Sequence, residues 1–273
     1  MRVVMLVDNG SRRAEAALSL RRLAADLSRE VGEAVHPVSL LHASGIAPER
    51  LDGRPAETLE PFMRRQLAAG AQAFAILPLF FGRSRAVTDF IPDTAAALRH
   101  ELGRFDLQVA DPLVPLPGGE PRLVEILCDQ VRQAAAVEGL SIYRVVLVDH
   151  GSPIPEVTAV RRWLAAGMRV ALGDQVTLDE AVMERRAGSA YDFNGALLED
   201  QLARMAAEDR STPAILSMLF LSPGRHAGPG GDIERICRAA EEAYPGFRAR
   251  PTALVGSHPG LLEILRFRYE QIV

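Results

Sequence analysis

The sequence predicts an α/β protein of two tandem units, each a mainly parallel four-stranded sheet flanked by helices. Three observations predict it. Apolar, β-branched runs alternate from end to end with stretches of helical periodicity, the pattern of parallel strands covered by helices. The 273 residues are enough for two domains of about 130 residues each. The second half also repeats the first: Val4-Met5-Leu6-Val7-Asp8-Asn9-Gly10-Ser11 matches Val145-Val146-Leu147-Val148-Asp149-His150-Gly151-Ser152, with conservative apolar swaps and one change at Asn9.

Taken in order, the short apolar run at 3–7 meets an acid at Asp8 and has no cleavage-site pattern behind it, so it reads as a first strand and not a signal peptide. Ala14 to Glu30 is a helix, with Leu18, Leu20, Leu23 and Leu27 supplying much of one apolar face. Strands near 35–41, 73–80 and 106–110 alternate with helices near 57–70, 86–103 and 120–137. The second half repeats this order, with strands near 143–149, 175–183, 213–221 and 248–254. Its helices fall near 156–169, 194–208, 230–243 and 259–271.

Three further echoes keep the register. Leu79-Phe80 followed by Gly82-Arg83-Ser84 answers Leu219-Phe220 followed by Gly224-Arg225-His226, and Asp89-Phe90-Ile91 loosely answers Gly231-Asp232-Ile233. Leu123-Val124-Glu125-Ile126-Leu127 answers Leu261-Leu262-Glu263-Ile264-Leu265. The offsets are 141, 140 and 138 residues, so one register with small insertions explains every match. The repeats are therefore placed at 1–138 and 141–273, with a linker around Ala136 to Leu140.

Bulk composition excludes several classes. A formal net charge of −4 argues against nucleic acid as a partner, because backbone binding needs a strongly basic face. No stretch reaches the roughly 18 uninterrupted apolar residues of a membrane span. The protein is read as cytoplasmic. Its two cysteines, Cys128 and Cys237, lie inside apolar helical patterns without Cys-x-x-Cys spacing and read as buried free thiols.

Ligands of parallel α/β sheets bind beyond the carboxyl ends of strands. At those ends the second copy places His150 after Asp149, Glu184 after Met183, and His226 in the loop beyond Leu221. If the three strands are neighbours, these side chains converge. Two imidazoles and a carboxylate are a borderline ligand set suited to Fe, Co, Ni or Zn, and three protein ligands leave coordination positions open for exchange. Each residue alone has a structural alternative: a strand-to-helix turn capped by Gly151 and Ser152, a solvated loop at Glu184-Arg185-Arg186, an exposed loop histidine at 226. Their conjunction at equivalent strand ends favours the metal reading. His36, His100 and His258 have no such partners and read as surface or loop residues.

The Asp-His-Gly-Ser after an apolar strand, the Met183-Glu184-Arg185-Arg186 stretch and the Leu-Phe-Leu-x-x-Gly-Arg-His loop leading to Asp232-Ile233 resemble the class II tetrapyrrole chelatases, the CbiX-like sirohydrochlorin cobaltochelatases and ferrochelatases, in a two-repeat form. The resemblance covers essentially the whole chain, once per half. It implies two flavodoxin-like chelatase subdomains with a cleft between them. It also implies that His150, Glu184 and His226 hold a divalent ion, Co²⁺ or Fe²⁺, with Ni²⁺ or Zn²⁺ accepted in vitro, which enters the macrocycle as a substrate. No organic cofactor is implied. The substrate would be a flat tetrapyrrole rimmed with carboxylates, for which Arg185, Arg186, Arg225 and Ser152 of the second copy, and Arg12 and Arg83 of the first, are candidate contacts. Arg13 and Arg85 share that first rim, and Met183, Met218 and Phe220 are candidate apolar wall or core.

The first copy departs from the pattern. Asn9 stands for the first histidine and Ser84 for the second, and the counterpart of Glu184 falls near Leu41-His42. Asn and Ser are poor ligands for borderline metals, so no metal site is expected there, and the chain is read as a monomeric internal pseudo-dimer. Two other functions stay open at this point: a metal or tetrapyrrole carrier without turnover, and phosphoryl chemistry, since Arg225-His226-Ala227 resembles the Arg-His-Gly of histidine phosphatases. A Ser-His-Asp triad from Asp149, His150 and Ser152 is excluded, because successive strand residues point to opposite faces.

Overall fold

The computed structural model describes residues 1–273 and contains two all-parallel sheets. In the first, β1 (Arg2–Asp8), β2 (Val35–Ser39), β3 (Ala73–Pro78) and β4 (Asp106–Val109) lie in the order β2-β1-β3-β4. In the second, β5 (Arg144–Asp149), β6 (Thr177–Val182), β7 (Ala196–Leu197), β8 (Ala214–Met218) and β9 (Ala249–Pro251) lie in the order β7-β6-β5-β8-β9. The fifth strand corrects the expected four: β7 is an edge strand of two residues, too short to carry a periodicity. The central strands β1 and β5 are continuous apolar runs because both of their faces are covered. Val3 to Val7 and Val145 to Val148 are buried without a break.

The helices are α1 (Ala14–Val31), α2 (Leu59–Ala68), α3 (Ile91–Leu102), α4 (Pro121–Glu138), α5 (Pro155–Leu172), α6 (Leu198–Glu208), α7 (Asp232–Ala243) and α8 (Gly260–Glu270). All eight fall within a few residues of expectation, except that 86–103 opens as a π-helical turn, Ala86–Phe90, before α3. Gly32 and Gly139 end α1 and α4 in the left-handed conformation that needs no Cβ.

Packing groups the chain differently from the sequence repeats expected at 1–138 and 141–273. One compact unit is Met1–Gly118 with Leu261–Val273, the other Gly119–Gly260. Each unit therefore takes its closing helix from the other repeat. In the second unit α4 runs along α5, where Gly167 leaves room for Val124: a Cβ on Gly167 would lie 2.8 Å from the valine Cγ2. Gln130 Nε2 donates to Leu254 O at 2.9 Å in the same unit. In the first unit α8 is held by Arg268, buried, which donates Nε to Pro112 O at 3.0 Å and Nη2 to Leu113 O at 3.1 Å. Tyr269 adds a hydroxyl bond to Glu33 at 2.7 Å. The two helices carry the same Leu-x-Glu-Ile-Leu stripe, so periodicity alone does not say which sheet receives which.

Both cysteines are free and buried. His36 corrects the expectation of a surface residue: it lies half-buried in β2 with its ring 5.2 Å from that of Phe62, and burial lowers its pKa. No helix is long and apolar enough to cross a membrane.

Candidate metal centre

Because β5 lies between β6 and β8, the loops leaving these three strands share one rim of the second unit. His150 follows β5 directly, Glu184 follows β6 by two residues, and His226 sits in the loop from β8 to α7. One ligand atom from each lies within 4.8 Å of the other two. Glu184 is the centre of the group, with Oε2 3.9 Å from His150 Nε2 and Oε1 3.3 Å from His226 Nε2. The imidazole centroids are 4.8 Å apart.

Backbone constraints set this spacing. Gly151 has φ +88°, and a Cβ there would lie 1.9 Å from Glu184 O, so only glycine lets the β5 loop pass so close to the β6 loop. The contact is sealed by Glu184 N donating to His150 O at 3.0 Å. His226 is 8% exposed and is fixed by its loop. Gly224 N donates to Ala227 O at 2.8 Å, and Ile233 N donates to His226 O at 3.0 Å. Gly231 comes so near that a Cβ would stand 2.6 Å from His226 O.

The electrostatics suit metal binding. Desolvation lowers the pKa of His150, and neighbouring His226 lowers it further. Desolvation likewise lowers His226, with Arg225 acting in the same sense against Glu184. Both rings are therefore neutral near pH 7, the form a metal requires. Asp149, at the end of β5, is raised by burial even though it is paired with Arg161.

The structure adds one candidate residue that the sequence reading does not include. Asp232 Oδ2 lies 2.7 Å from His226 Nδ1, a buried ring atom whose alignment for a hydrogen bond is incomplete here. A carboxylate behind a ligating histidine selects the tautomer that leaves the other nitrogen free for metal. The sequence signal is an acid opening a helix six residues after a loop histidine, a residue that marks the repeat and the resemblance but had no role of its own.

The predicted arginines divide. Arg225 adjoins the cluster, with Nη1 3.2 Å from Glu184 Oε1 and Nε 3.4 Å from Asp232 Oδ2. Both partners are carboxylates, which repel an anion such as phosphate beside the Arg225-His226 pair. Arg185 binds Asp192 and the Gly195 carbonyl, both at 3.2 Å. Arg186 lies over the Tyr191 ring at 5.7 Å. Arg12 and Arg83 are exposed residues of the first unit, and Arg83 pairs with Asp111 at 3.1 Å. Ser152 turns out to have structural partners: its hydroxyl accepts from Ile154 N at 3.0 Å, and its main chain is bound by Asn194. Met183, Met218 and Phe220 pack into the core cluster of the second unit. A groove of about 780 Å³ runs from Glu184, Arg225 and His226 between α6 and α7 to Tyr244.

In the first unit the same backbone carries other residues. Gly10, φ +82°, would place a Cβ 1.8 Å from Leu41 O, so Leu41 takes the place of Glu184. His42 lies one residue farther along, exposed, at φ 68°.

The family model described as CbiX matches residues 3–134 and again 144–272. No curated protein sequence matches. Among solved structures, SirB from Bacillus subtilis with Fe³⁺ is similar at a TM-score of 0.73 and 14% identity, over 99% of this chain and 94% of that one. The sirohydrochlorin chelatase SirB from Bacillus subtilis subspecies spizizenii in complex with cobalt is similar at 0.67 and 16%, with the same coverage. CbiX, described as the terminal enzyme of siroheme biosynthesis in denitrifying bacteria, is similar at 0.57 and 20%, over 100% of both chains.

Proposed function

From the premise that this chain belongs to the CbiX family, we propose that it inserts a divalent metal, Co²⁺ or Fe²⁺, into sirohydrochlorin or a related tetrapyrrole. The observation that carries this reading is the convergence of His150, Glu184 and His226 within 4.8 Å on the rim of one parallel sheet. Solved relatives of the same fold are described as holding Fe³⁺ and cobalt, and two imidazoles with one carboxylate suit either element.

In this reading the metal is a substrate, held by three protein ligands with positions left open towards the macrocycle. Insertion exchanges protein ligands for ring nitrogens and releases two pyrrole N–H protons. The ligand groups, freed as the metal leaves, are the nearest acceptors. Because both histidines have lowered pKa values, protons they accept pass on to water, and the rings return to the neutral form that takes the next ion. Arg185, Arg186 and Arg225 flank the site and supply guanidinium groups for the acidic rim of the ring.

Purified protein mixed with sirohydrochlorin and Co²⁺ or Fe²⁺ should give the absorbance change of the metallated ring faster than the spontaneous reaction. Metal binding without any acceleration would replace the enzyme with a carrier.

A further inference from the structure

Beneath the ligand cluster lies a buried polar network that metal binding does not itself use. Arg161, on α5 and 2% exposed, donates Nη1 to Asp149 Oδ1 at 2.7 Å, Nη2 to the main-chain oxygen of Asn194 at 2.6 Å and Nε to Glu180 Oε2 at 3.2 Å. Asn194 is fully buried. Its Oδ1 accepts from Ser152 N at 3.0 Å and its Nδ2 donates to Ser152 O at 2.9 Å, so the side-chain amide mimics a neighbouring strand. Asp149 Oδ1 also accepts from Gly151 N at 3.0 Å. The stretch Asp149 to Ser152 is thus gripped on both sides of His150.

The same local fold forms in the first unit without such a network. Position 161 on α5 corresponds to Leu20 on α1, since the two 18-residue helices begin at Pro155 and Ala14. Leu20 is buried, and the first unit forms the same strand, turn and helix around it. Taking a guanidinium and its carboxylates out of water is costly, and an apolar residue of similar volume commonly serves stability as well or better. The network occurs in the copy with the ligands and is replaced by leucine in the copy without them.

We propose that Arg161 and Asn194 are positioning residues that hold Asp149 to Ser152 so that His150 Nε2 stays within shared-ligand distance of Glu184 and His226. This rests on the cluster being the metal site. The test is titration of the full-length protein with Co²⁺ alone, reading affinity, the cobalt ligand-field spectrum and the metal-free thermal midpoint. Asn194→Asp keeps the shape but cannot donate to Ser152 O. Arg161→Lys keeps the charge but cannot span Asp149 and Asn194 with one planar fork. Each should weaken Co²⁺ binding by roughly tenfold and shift the ligand-field bands. Arg162→Ala, which loses a bond from outside to Phe193 O, should leave affinity and spectrum unchanged.

Lowered thermal midpoints with unaltered cobalt affinity and spectrum would overturn the proposal, as would an equal spectral shift in Arg162→Ala. If Asn194→Asp does not fold, Arg161→Lys carries the test. Failure of the site itself is a separate outcome: His150→Ala would then bind Co²⁺ as well as the unaltered protein does.

Discussion

The carboxyl ends of β1 and β5 show one backbone with two chemistries. In both, a glycine with positive φ presses against the carbonyl of the residue beyond the neighbouring strand, Leu41 in the first unit and Glu184 in the second. The amide of that residue bonds back across the rim, to Asn9 O at 3.3 Å and to His150 O at 3.0 Å. Asn9 and Leu41 therefore occupy the region where the second unit has His150 and Glu184, and by the sequence repeat Ser84 answers His226. The approach of the loops belongs to the fold, and the proposed ability to hold a metal rests on the residues set on them. The interior differs as well: Asp8 is held by the Ser39 hydroxyl at 2.7 Å, whereas Asp149 is held by buried Arg161 at the same distance.

The largest expected effect follows directly from this contrast. His150→Ala and His226→Ala should each reduce metal insertion by more than roughly 100-fold, since losing a ligand exceeds the 10- to 100-fold typical of losing its support. Asn9→Ala should leave insertion within about twofold of the unaltered rate. Equal losses in all three, measured by initial rates of absorbance change, would abolish the distinction between the two rims. Asp232→Asn comes next, with a fall of about 10- to 100-fold in Co²⁺ affinity by titration, because the amide no longer fixes the His226 tautomer as a carboxylate does. Its nearest counterpart in the first unit, one residue before the Ile91 that answers Ile233, is Phe90, and Phe90→Leu should not change cobalt binding.

Much of this contrast was legible in the residues. The Asp-His-Gly-Ser string and the strand-end rule singled out His150, Glu184 and His226 on the condition that their strands are neighbours, and the order β6-β5-β8 in the sheet meets that condition. Residues that act through packing were not legible. Arg161 looks in sequence like any helical arginine, and only the pairing of β5 with β6 places Glu180 and Asp149 where its guanidinium can reach both. Asn194 comes from a loop with no periodicity, and nothing local indicates that its amide docks on Ser152, 42 residues earlier. The exchange of α4 and α8 escaped for a related reason: an apolar stripe specifies burial, not the sheet that provides it.

A smaller effect separates the two buried acids. Burial raises Asp8 to about 6 from its ordinary 3.8, outweighing the Ser39 hydroxyl and the Gly10 amide, which lower it. Folding therefore takes up a proton between these values. The resulting penalty is fully present above about pH 6 and is relieved as pH falls towards the unfolded value. Asp8→Asn should raise stability by about 3 kcal/mol at neutral pH and by almost nothing below about pH 4, measured by urea unfolding at both. Asp149→Asn should instead lower stability at neutral pH, because it takes a partner from a buried guanidinium. A gain in both variants would mean that Arg161 does not need Asp149.

The smallest difference lies on the outer surface of α1 and α5. Arg21 gathers the loop after β2 by donating to Leu51 O at 2.7 Å, Arg54 O at 2.6 Å and Pro55 O at 2.9 Å. Its counterpart Arg162 makes one such bond, to Phe193 O at 2.9 Å, because Arg161 already holds the equivalent loop from inside through Asn194. Arg21→Ala should cost about 1 kcal/mol or slightly more, and Arg162→Ala about 0.5 kcal/mol, read from urea midpoints. Equal costs would mean that the loop after β6 depends on its outer tie as much as the loop after β2 does. The buried network would then be redundant for holding the loop, and its presence beside the ligands would need another cause. A smaller cost for Arg162→Ala agrees with a division of labour in which the second unit holds its loop from the interior, next to His150.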